Sequence, residues 1–235
     1  EVLVYDIQDI GVRSYTYIST MGLAMEAAAE HDIEFVVLDR PNPLGGNKIE
    51  GNVAEEGYFS FVSQYPIPYV YGMTPGEVAI MINEEGWLGE GKKADLTVVE
   101  MEGWNRSMTF EETGLQWVPT SPHIPHANSA YFYVSTGIMG ELGVFSEGVG
   151  YTLPFQVFAA EWIDERKLAE NMNALNIPGV EFRPIVFKPF YGRDQGKTLH
   201  GVQIHFSDYT QAHLMSLQYY FMQIHKQMYP EIDIF

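Results

Sequence analysis

Short apolar runs alternate with helical patterns along the first hundred residues, and this alternation restricts the possible folds more than any other feature of the sequence. Three apolar runs predict buried strands at 2–5, 34–38 and 96–100. The patterns between them predict helices at 17–30 and 74–84. Strands separated by helices are typical of a parallel sheet with flanking helices. We therefore predict a Rossmann-like, mostly parallel α/β domain over residues 1–158.

A different pattern follows in the last third of the chain. It predicts, in order, a helix at 164–175, strands at 180–188 and 201–206, and a long amphipathic helix at 209–228. We therefore predict a smaller α+β C-terminal domain over residues 159–235.

Two long irregular stretches, 40–73 and 103–154, interrupt the first domain and are rich in Pro, Gly, Asn and aromatic residues. Connections of this length are usually functional, and aromatic side chains exposed in them would suit the faces of sugar rings. A strand begins at Val2, directly after the first residue. We therefore expect that the N-terminal part of the first domain, with any signal peptide, lies upstream of Glu1.

The charge balance excludes several classes of function. The chain has 31 Asp and Glu against 13 Lys and Arg, a formal net charge of −18, and no Cys. Such a surface repels the phosphates of nucleic acids and anionic membranes. No window approaches the roughly 18 consecutive apolar residues that a membrane span needs. The absence of Cys excludes disulfides, thiolate metal sites and cysteine nucleophiles.

The sequence predicts neither a cofactor nor a metal. The segment 86–93 matches most of a phosphate-binding loop, but it lacks the final Ser or Thr and follows a helix instead of a strand. No Gly-x-Gly-x-x-Gly motif follows a strand, which argues against a dinucleotide. His123 and His126 are close in sequence but lack a third ligand at an interpretable spacing.

Polar side chains crowd the end of the first predicted strand. The candidates there for catalysis or substrate binding are Asp6, Gln8, Asp9, Arg13 and Tyr17. A structural alternative is that Asp9 caps the next helix while Arg13 pairs with Asp6. Capping needs only one of these groups, so the sequence leaves both interpretations open.

A second polar cluster follows the next strand. Asp39, Arg40 and Asn42 are held between prolines, and Glu50 lies just beyond in a loop with flanking glycine. Ligands of open α/β sheets bind beyond the carboxyl ends of the strands, where both clusters should lie. The alternatives are a rigid turn with a structural Asp–Arg pair and, for Glu50, a solvated surface position.

Two further acids, Glu141 and Glu147, lie in a glycine-rich stretch, 137–150. One interpretation is a flexible loop with incidental charges. The other is a substrate loop that carries an acid.

Several long motifs resemble the bacterial exo-acting β-N-acetylmuramidase family, long catalogued as a domain of unknown function. The similarity extends over essentially the whole chain. It is carried by Asp-Ile-Gln-Asp-Ile-Gly-Val-Arg-Ser-Tyr-Thr-Tyr at 6–17, Leu-Asp-Arg-Pro-Asn-Pro-Leu-Gly-Gly at 38–46, Tyr-Gly-Met-Thr-Pro-Gly-Glu at 71–77 and Gly-Val-Gln-Ile-His at 201–205.

This resemblance implies a glycoside hydrolase with its active site in the cleft between the two domains. It implies release of terminal, non-reducing β-1,4-linked N-acetylmuramic acid from peptidoglycan fragments by a periplasmic or secreted protein. A small glycan or muropeptide is then the expected partner. Hydrolysis requires an acid for the leaving oxygen and a second group, a carboxylate or the N-acetyl group of the substrate. The candidate catalytic carboxylates are Asp9, Asp39, Glu50 and Glu147.

The candidate substrate-binding side chains are Asp6, Gln8, Arg13, Tyr17, Arg40, Asn42 and Glu141. Because muramic acid is anionic, Arg13 and Arg40 are expected to hold its lactyl carboxylate.

Two departures from the family pattern limit what the resemblance implies. Family members carry a Glu-His-Gly segment upstream of the first strand, whose glutamate is a leading catalytic candidate, and we expect this segment to lie upstream of Glu1. Many members also have an Asn and an Arg where this sequence has Val144 and Val149. The changes at Val144 and Val149 motivate the alternative, a non-catalytic or altered-specificity protein that binds cell-wall glycans.

Overall fold

The computed structural model describes residues 1–235 and divides them into two compact units. The first unit comprises residues 1–120 and 125–130, and the second comprises 121–124 and 131–235. The boundary predicted at 158/159 lies inside the second unit, in the middle of a strand. The division falls earlier because the residues after 130 pack with the C-terminal elements: the Phe132 ring lies 5.1 Å from that of Phe206.

The first unit contains a three-stranded parallel sheet in the order β1-β2-β3. Its strands are β1 (Val2–Tyr5), β2 (Glu34–Leu38) and β3 (Leu96–Val99). Val4 lies opposite Val36, which in turn lies opposite Thr97. The alternation in the sequence therefore predicted both the strands and their parallel pairing correctly.

Two helices, α1 (Tyr17–Glu30) and α2 (Pro75–Glu84), pack on one face of this sheet. Phe35 and Val37 alternate with more exposed β2 residues and are fully buried among side chains of both helices. The period of two along the strand places these two residues on the core face. On the opposite face, Val2 and Val4 are each 54% exposed.

The start of α2 is fixed by its own sequence. The Thr74 hydroxyl accepts a hydrogen bond from the Glu77 N–H, and the Glu77 carboxylate accepts one from the Thr74 N–H, with Pro75 at the first helical position. This reciprocal capping satisfies donors that the helix itself leaves unpaired. The helix predicted at 74–84 is confirmed to within one residue.

The second unit contains an antiparallel sheet in the order β4-β6-β5. Its elements are α3 (Ser129–Glu141, whose first two residues belong to the first unit), β4 (Val157–Ala160), α4 (Glu165–Ala174), β5 (Val180–Phe187), β6 (Leu199–Phe206) and α5 (Ser216–Met228). The predicted helix at 164–175 and the two predicted strands are confirmed within one or two residues. Phe145, Phe158 and Phe221 form an aromatic core, with neighbouring ring centroids 4.4 to 4.8 Å apart.

Three elements differ from the sequence prediction. Helix α3 lies within a stretch that was predicted to be irregular. The sequence did not reveal this helix because it is apolar on all sides and contains two glycines, and it therefore lacks helical periodicity. Strand β4 was not predicted. Helix α5 begins at 216 instead of 209, because Asp208 accepts hydrogen bonds from Thr210 and Gln211 in a local turn.

The structure is thus a mixed α/β protein with one parallel and one separate antiparallel sheet. None of its helices is long and apolar enough to cross a membrane.

The packing of α1 against Tyr65 provides a test of this core. A β-carbon at Gly22 would overlap the Tyr65 hydroxyl, which is buried and has no hydrogen-bond partner. We expect Gly22→Ala to lower the free energy of unfolding by about 1–3 kcal/mol, since overpacking forces side chains to shift. Chemical denaturation measures this change.

The control is Tyr65→Phe, which removes the nearest atom without leaving a polar group unpaired and should be close to neutral. In the double variant, part of the loss should be recovered. Additive effects of the two substitutions would contradict this packing.

Candidate active site

The carboxyl ends of β1 and β2 meet at one edge of the parallel sheet, as the sequence predicts. Arg40 Nε and a terminal guanidinium nitrogen lie 2.7 and 2.5 Å from Asp6 Oδ1. Gln8 Nε2 donates to the carbonyls of Asp9 and Pro41, each at 2.8 Å. The two polar clusters are therefore joined through side chains from both strand ends. The ion pair of Asp6 is formed with Arg40, so the alternative Asp6–Arg13 pair is wrong.

Arg13 has a different environment. Its side chain donates to the carbonyls of Asn52, at 2.9 Å, and Ile67, and its guanidinium carbon lies 5.9 Å from the Tyr69 ring centroid. The residue is only 8% exposed, and burial lowers its pKa from the usual value. Arg13 therefore anchors the loop between β2 and α2.

Asp9 is the most deeply buried of the candidate acids, at 2% exposure. Its Oδ2 accepts hydrogen bonds from the Gly11 N–H at 2.7 Å and from the Tyr71 hydroxyl, whereas its Oδ1 is buried without a partner. Burial raises the pKa of Asp9 to about 6. Asp9 therefore stabilises a turn at Gly11, and the alternative that it caps the next helix is wrong, since α1 begins only after Thr16.

Asp39 is held by the start of α2. Its Oδ1 accepts from the N–H groups of Arg40 at 3.0 Å and Gly76 at 2.8 Å, and its Oδ2 accepts from the Thr74 hydroxyl at 2.8 Å. A helix N-terminus is favourable for a carboxylate because its N–H groups point outward and carry partial positive charge. Asp39 thus links the end of β2 to α2.

Asn42 and Tyr17 also make specific contacts. Asn42 is 2% exposed, donates to the Met73 carbonyl and accepts from the Leu44 N–H, each at 2.9 Å. The Tyr17 hydroxyl donates to the Thr120 carbonyl at 2.6 Å. Both side chains therefore join distant parts of the first unit.

Glu50 is not the solvated surface residue of the alternative interpretation. Its side chain is 9% exposed, and Oε1 lies 3.2 Å from Lys48 Nζ. Its backbone pairs with Val70 through hydrogen bonds of 3.1 and 2.9 Å. Glu50 is therefore fixed in the first unit.

Glu147 lies in the second unit on a loop whose backbone is fixed on both sides. Ser146 pairs with Ala159 of β4 through two hydrogen bonds of 2.8 and 3.0 Å, and Gly148 turns the chain with a φ of 97°. The side chain reaches α3, where a β-carbon at Gly140 would lie 2.7 Å from Glu147 Oε2. The glycine at 140 therefore provides the space that the carboxylate occupies.

The surroundings of Glu147 favour its protonated form. Burial raises its pKa above the usual value, with smaller raising effects from Asp194 and Glu141, while Arg193 opposes the shift. Glu147 is half-buried, in contrast to Asp9. A carboxylic acid that stays protonated to higher pH and keeps some exposure suits proton transfer to a ligand.

Arg193 was missed in the sequence. Its guanidinium donates to the carbonyls of Gly140, at 3.3 Å, and Phe145, and Nε lies 3.4 Å from Asp194 Oδ2. Arg193 thus connects the loop between β5 and β6 to the segment before Glu147, while Glu141 ends α3 with an exposed side chain. The sequence showed only that Arg193 lies in a turn-like segment, and such a segment does not reveal partners about fifty residues away.

Metal-ligating side chains are not clustered. No group of three or more His, Cys, Asp or Glu residues is arranged to hold a metal ion. His123 instead lies 2.9 Å from the Tyr191 hydroxyl through Nε2.

The fold and these acids define a two-unit α/β protein with carboxyl groups in both units. Comparison with known families is more specific. The family model described as exo-beta-N-acetylmuramidase NamZ, N-terminal, matches residues 1–128, and the corresponding C-terminal model matches residues 131–234. The chain belongs to the NamZ family of exo-β-N-acetylmuramidases, which confirms the resemblance seen in the motifs.

Individual relatives agree with this assignment. Peptidoglycan beta-N-acetylmuramidase NamZ of Bacillus subtilis (strain 168) is 48% identical over 208 residues, which cover 88% of this chain and 49% of the relative. The chain thus spans about half the length of this curated relative.

Two crystal structures of DUF1343 family proteins from Bacteroides fragilis are also similar. One has 60% identity and a TM-score of 0.95, covering 98% of this chain and 59% of the other. The second has 34% identity and a TM-score of 0.71, covering 86% and 52%.

The burial of Asp9 predicts a pH-dependent stability. The pKa is about 6 when folded and near 3.8 for a free side chain, so the folded state favours the protonated form. Stability is therefore greatest below about pH 4 for this group and falls by about 3 kcal/mol as the pH rises to about 6. We expect Asp9→Asn to remove this decline and to stabilise the protein at pH 7, measured by urea denaturation between pH 4 and 8.

Asp6→Asn is the matched control, because it removes a carboxylate whose ion pair is exposed and contributes about 0–1 kcal/mol. If Asp9→Asn and Asp6→Asn show the same pH dependence as the unmodified protein, the charge of Asp9 does not carry the effect.

Proposed function

We propose that this chain is part of a glycoside hydrolase that releases terminal, non-reducing β-1,4-linked N-acetylmuramic acid from peptidoglycan fragments. The observation that carries the proposal is the match of both NamZ domains, in order, to residues 1–128 and 131–234. The name of the Bacillus subtilis relative, a peptidoglycan beta-N-acetylmuramidase, supports the same substrate. We also propose that the parallel sheet belongs to a Rossmann-like domain and that the protein acts in the periplasm or outside the cell.

Glu147 is the proton donor in this proposal. Cleavage of a glycosidic bond requires an acid that protonates the leaving oxygen while charge develops on the anomeric carbon. Of the four candidate carboxylic acids, Glu147 is the one that combines a raised pKa with a half-buried position. Asp9 shares the raised pKa but is almost completely buried.

The remaining carboxylates have supporting roles in this proposal. Asp39 accepts hydrogen bonds from Thr74 and Gly76 at the start of α2, and Asp9 accepts one from Gly11 and stabilises the turn there. The group that meets the oxocarbenium-like carbon is a carboxylate or the N-acetyl group of the substrate itself. Arg40 is the partly exposed cation at the sheet edge and is proposed to bind the lactyl carboxylate, in exchange with Asp6.

Glu147→Gln tests the role of the acid. We expect kcat/KM for an unactivated substrate, the disaccharide N-acetylmuramyl-β-1,4-N-acetylglucosamine, to fall by about 10²–10⁴-fold, the usual contribution of a general acid. The loss should be much smaller for a 4-nitrophenyl N-acetylmuraminide, because this leaving group needs little protonation. Released N-acetylmuramic acid is quantified by chromatography.

The pH profile gives a second readout. Activity of the unmodified protein should decline as the pH rises through the raised pKa of Glu147, because its protonated form is lost. Glu170→Gln, at an exposed position of α4, is the control and should behave like the unmodified protein. Equal losses on both substrates would assign Glu147 another role. Binding without turnover by the unmodified protein would favour the glycan-binding alternative.

A further inference from the structure

The loop between β5 and β6, residues 188–198, presents aromatic side chains to solvent. Phe190 is 58% exposed and Tyr191 is 41% exposed, and their ring centroids lie 5.3 Å apart. Tyr151, which is partly buried and packs on Phe187, extends the set, with its ring centroid 6.3 Å from that of Phe190. We call Tyr151, Phe190 and Tyr191 the aromatic platform.

The backbone of this loop is held in place. The Phe190 N–H donates to the Gly150 carbonyl and the Gly196 N–H donates to the Pro189 carbonyl, each at 2.9 Å. A β-carbon at Gly150 would overlap the Tyr191 carbonyl, so the close approach of the two segments requires glycine there. The exposed rings therefore stand on a fixed base, which lowers the conformational entropy that binding must remove.

The Tyr191 ring is itself oriented by His123. The two rings are nearly parallel, with an interplanar angle of 16° and centroids 6.1 Å apart. His123 Nε2 and the Tyr191 hydroxyl are also 2.9 Å apart. His123 therefore limits the orientations available to the Tyr191 ring.

The same loop also carries polar groups and contacts the segment of the proposed acid. Arg193 and Lys197 are each 45% exposed in their side chains, and Gln195 is exposed. Arg193 donates to the carbonyls of Gly140 and Phe145, which flank the Glu147 loop. The loop that carries the platform is therefore held against the segment that precedes Glu147 in the second unit.

We propose that the aromatic platform binds a pyranose ring of the glycan chain next to the sugar that is released. Sugar rings present C–H faces that pack on aromatic rings, while their hydroxyls need polar partners at the edge, and this loop supplies both. The inference rests on the proposed exo-acting hydrolysis. Because an exo-acting enzyme removes the terminal sugar, the platform binds the sugar on the leaving-group side.

The test compares the disaccharide N-acetylmuramyl-β-1,4-N-acetylglucosamine with methyl N-acetyl-β-muraminide, which lacks the second sugar. The unmodified protein should prefer the disaccharide. We expect Tyr191→Ala to reduce the ratio of the two kcat/KM values by about 2- to 10-fold, the effect of losing one stacking contact. Tyr191→Phe keeps the ring and should retain most of the preference.

Tyr219→Ala is the matched control, since Tyr219 is 50% exposed on α5 of the same unit and should leave the ratio unchanged. Thermal unfolding of each variant checks that the fold is intact. If the ratio of the two kcat/KM values is unchanged in Tyr191→Ala, or changes equally in Tyr219→Ala, the proposal that the platform binds this sugar is wrong.

Failure of the proposed function has a different signature, because the unmodified protein would then cleave neither compound. In that case, calorimetric titration with the same two compounds tests whether the platform binds the second sugar. Tighter binding of the disaccharide that is lost in Tyr191→Ala supports it, and equal binding of the two compounds overturns it.

Discussion

Two carboxylates at the ends of parallel strands, Asp9 buried and Asp39 partly buried, impose the strictest constraint on the first unit. A carboxylate removed from water is costly unless donors surround it, so the chain beyond each strand has to supply them. Asp39 obtains three donors from Arg40, Thr74 and Gly76, which fixes the start of α2 against β2. Asp9 accepts hydrogen bonds from Gly11 and Tyr71, but its burial outweighs them and raises its pKa to about 6.

The elements that the sequence predicted well are those in which local pattern and burial agree. Phe35 and Val37 alternate with more exposed neighbours, and Thr74, Pro75 and Glu77 form a complete capping signal, so β2 and α2 were located within one residue. Helix α3 had neither signal. Its Ser135 and Thr136 hydroxyls bond back to the carbonyls four residues earlier, and its stability comes from burial on several sides.

The candidate site was predictable in composition but not in its contacts. The position of Asp6 and Arg40 at a shared sheet edge follows from parallel pairing alone. The choice of Arg40 over Arg13 as the partner of Asp6 does not, because it depends on the distant carbonyls of Asn52 and Ile67 that hold Arg13. Likewise, the link from Arg193 to Gly140 spans 53 residues and leaves no local pattern.

Exposure separates the two acids whose pKa is raised. In both Asp9 and Glu147 the pKa is raised mainly by burial. A raised pKa alone therefore does not distinguish an acid that stabilises the fold from one that transfers a proton. Asp9 faces a tyrosine hydroxyl and a backbone N–H inside the core, where a proton has no ligand to reach. Glu147 lies half-buried between fixed backbone at Ser146 and Gly148, with Gly140 leaving room for its carboxyl group. A fixed backbone, partial exposure and a raised pKa favour proton transfer to a ligand, and because this combination occurs at Glu147 among the candidate acids, we propose Glu147 as the proton donor.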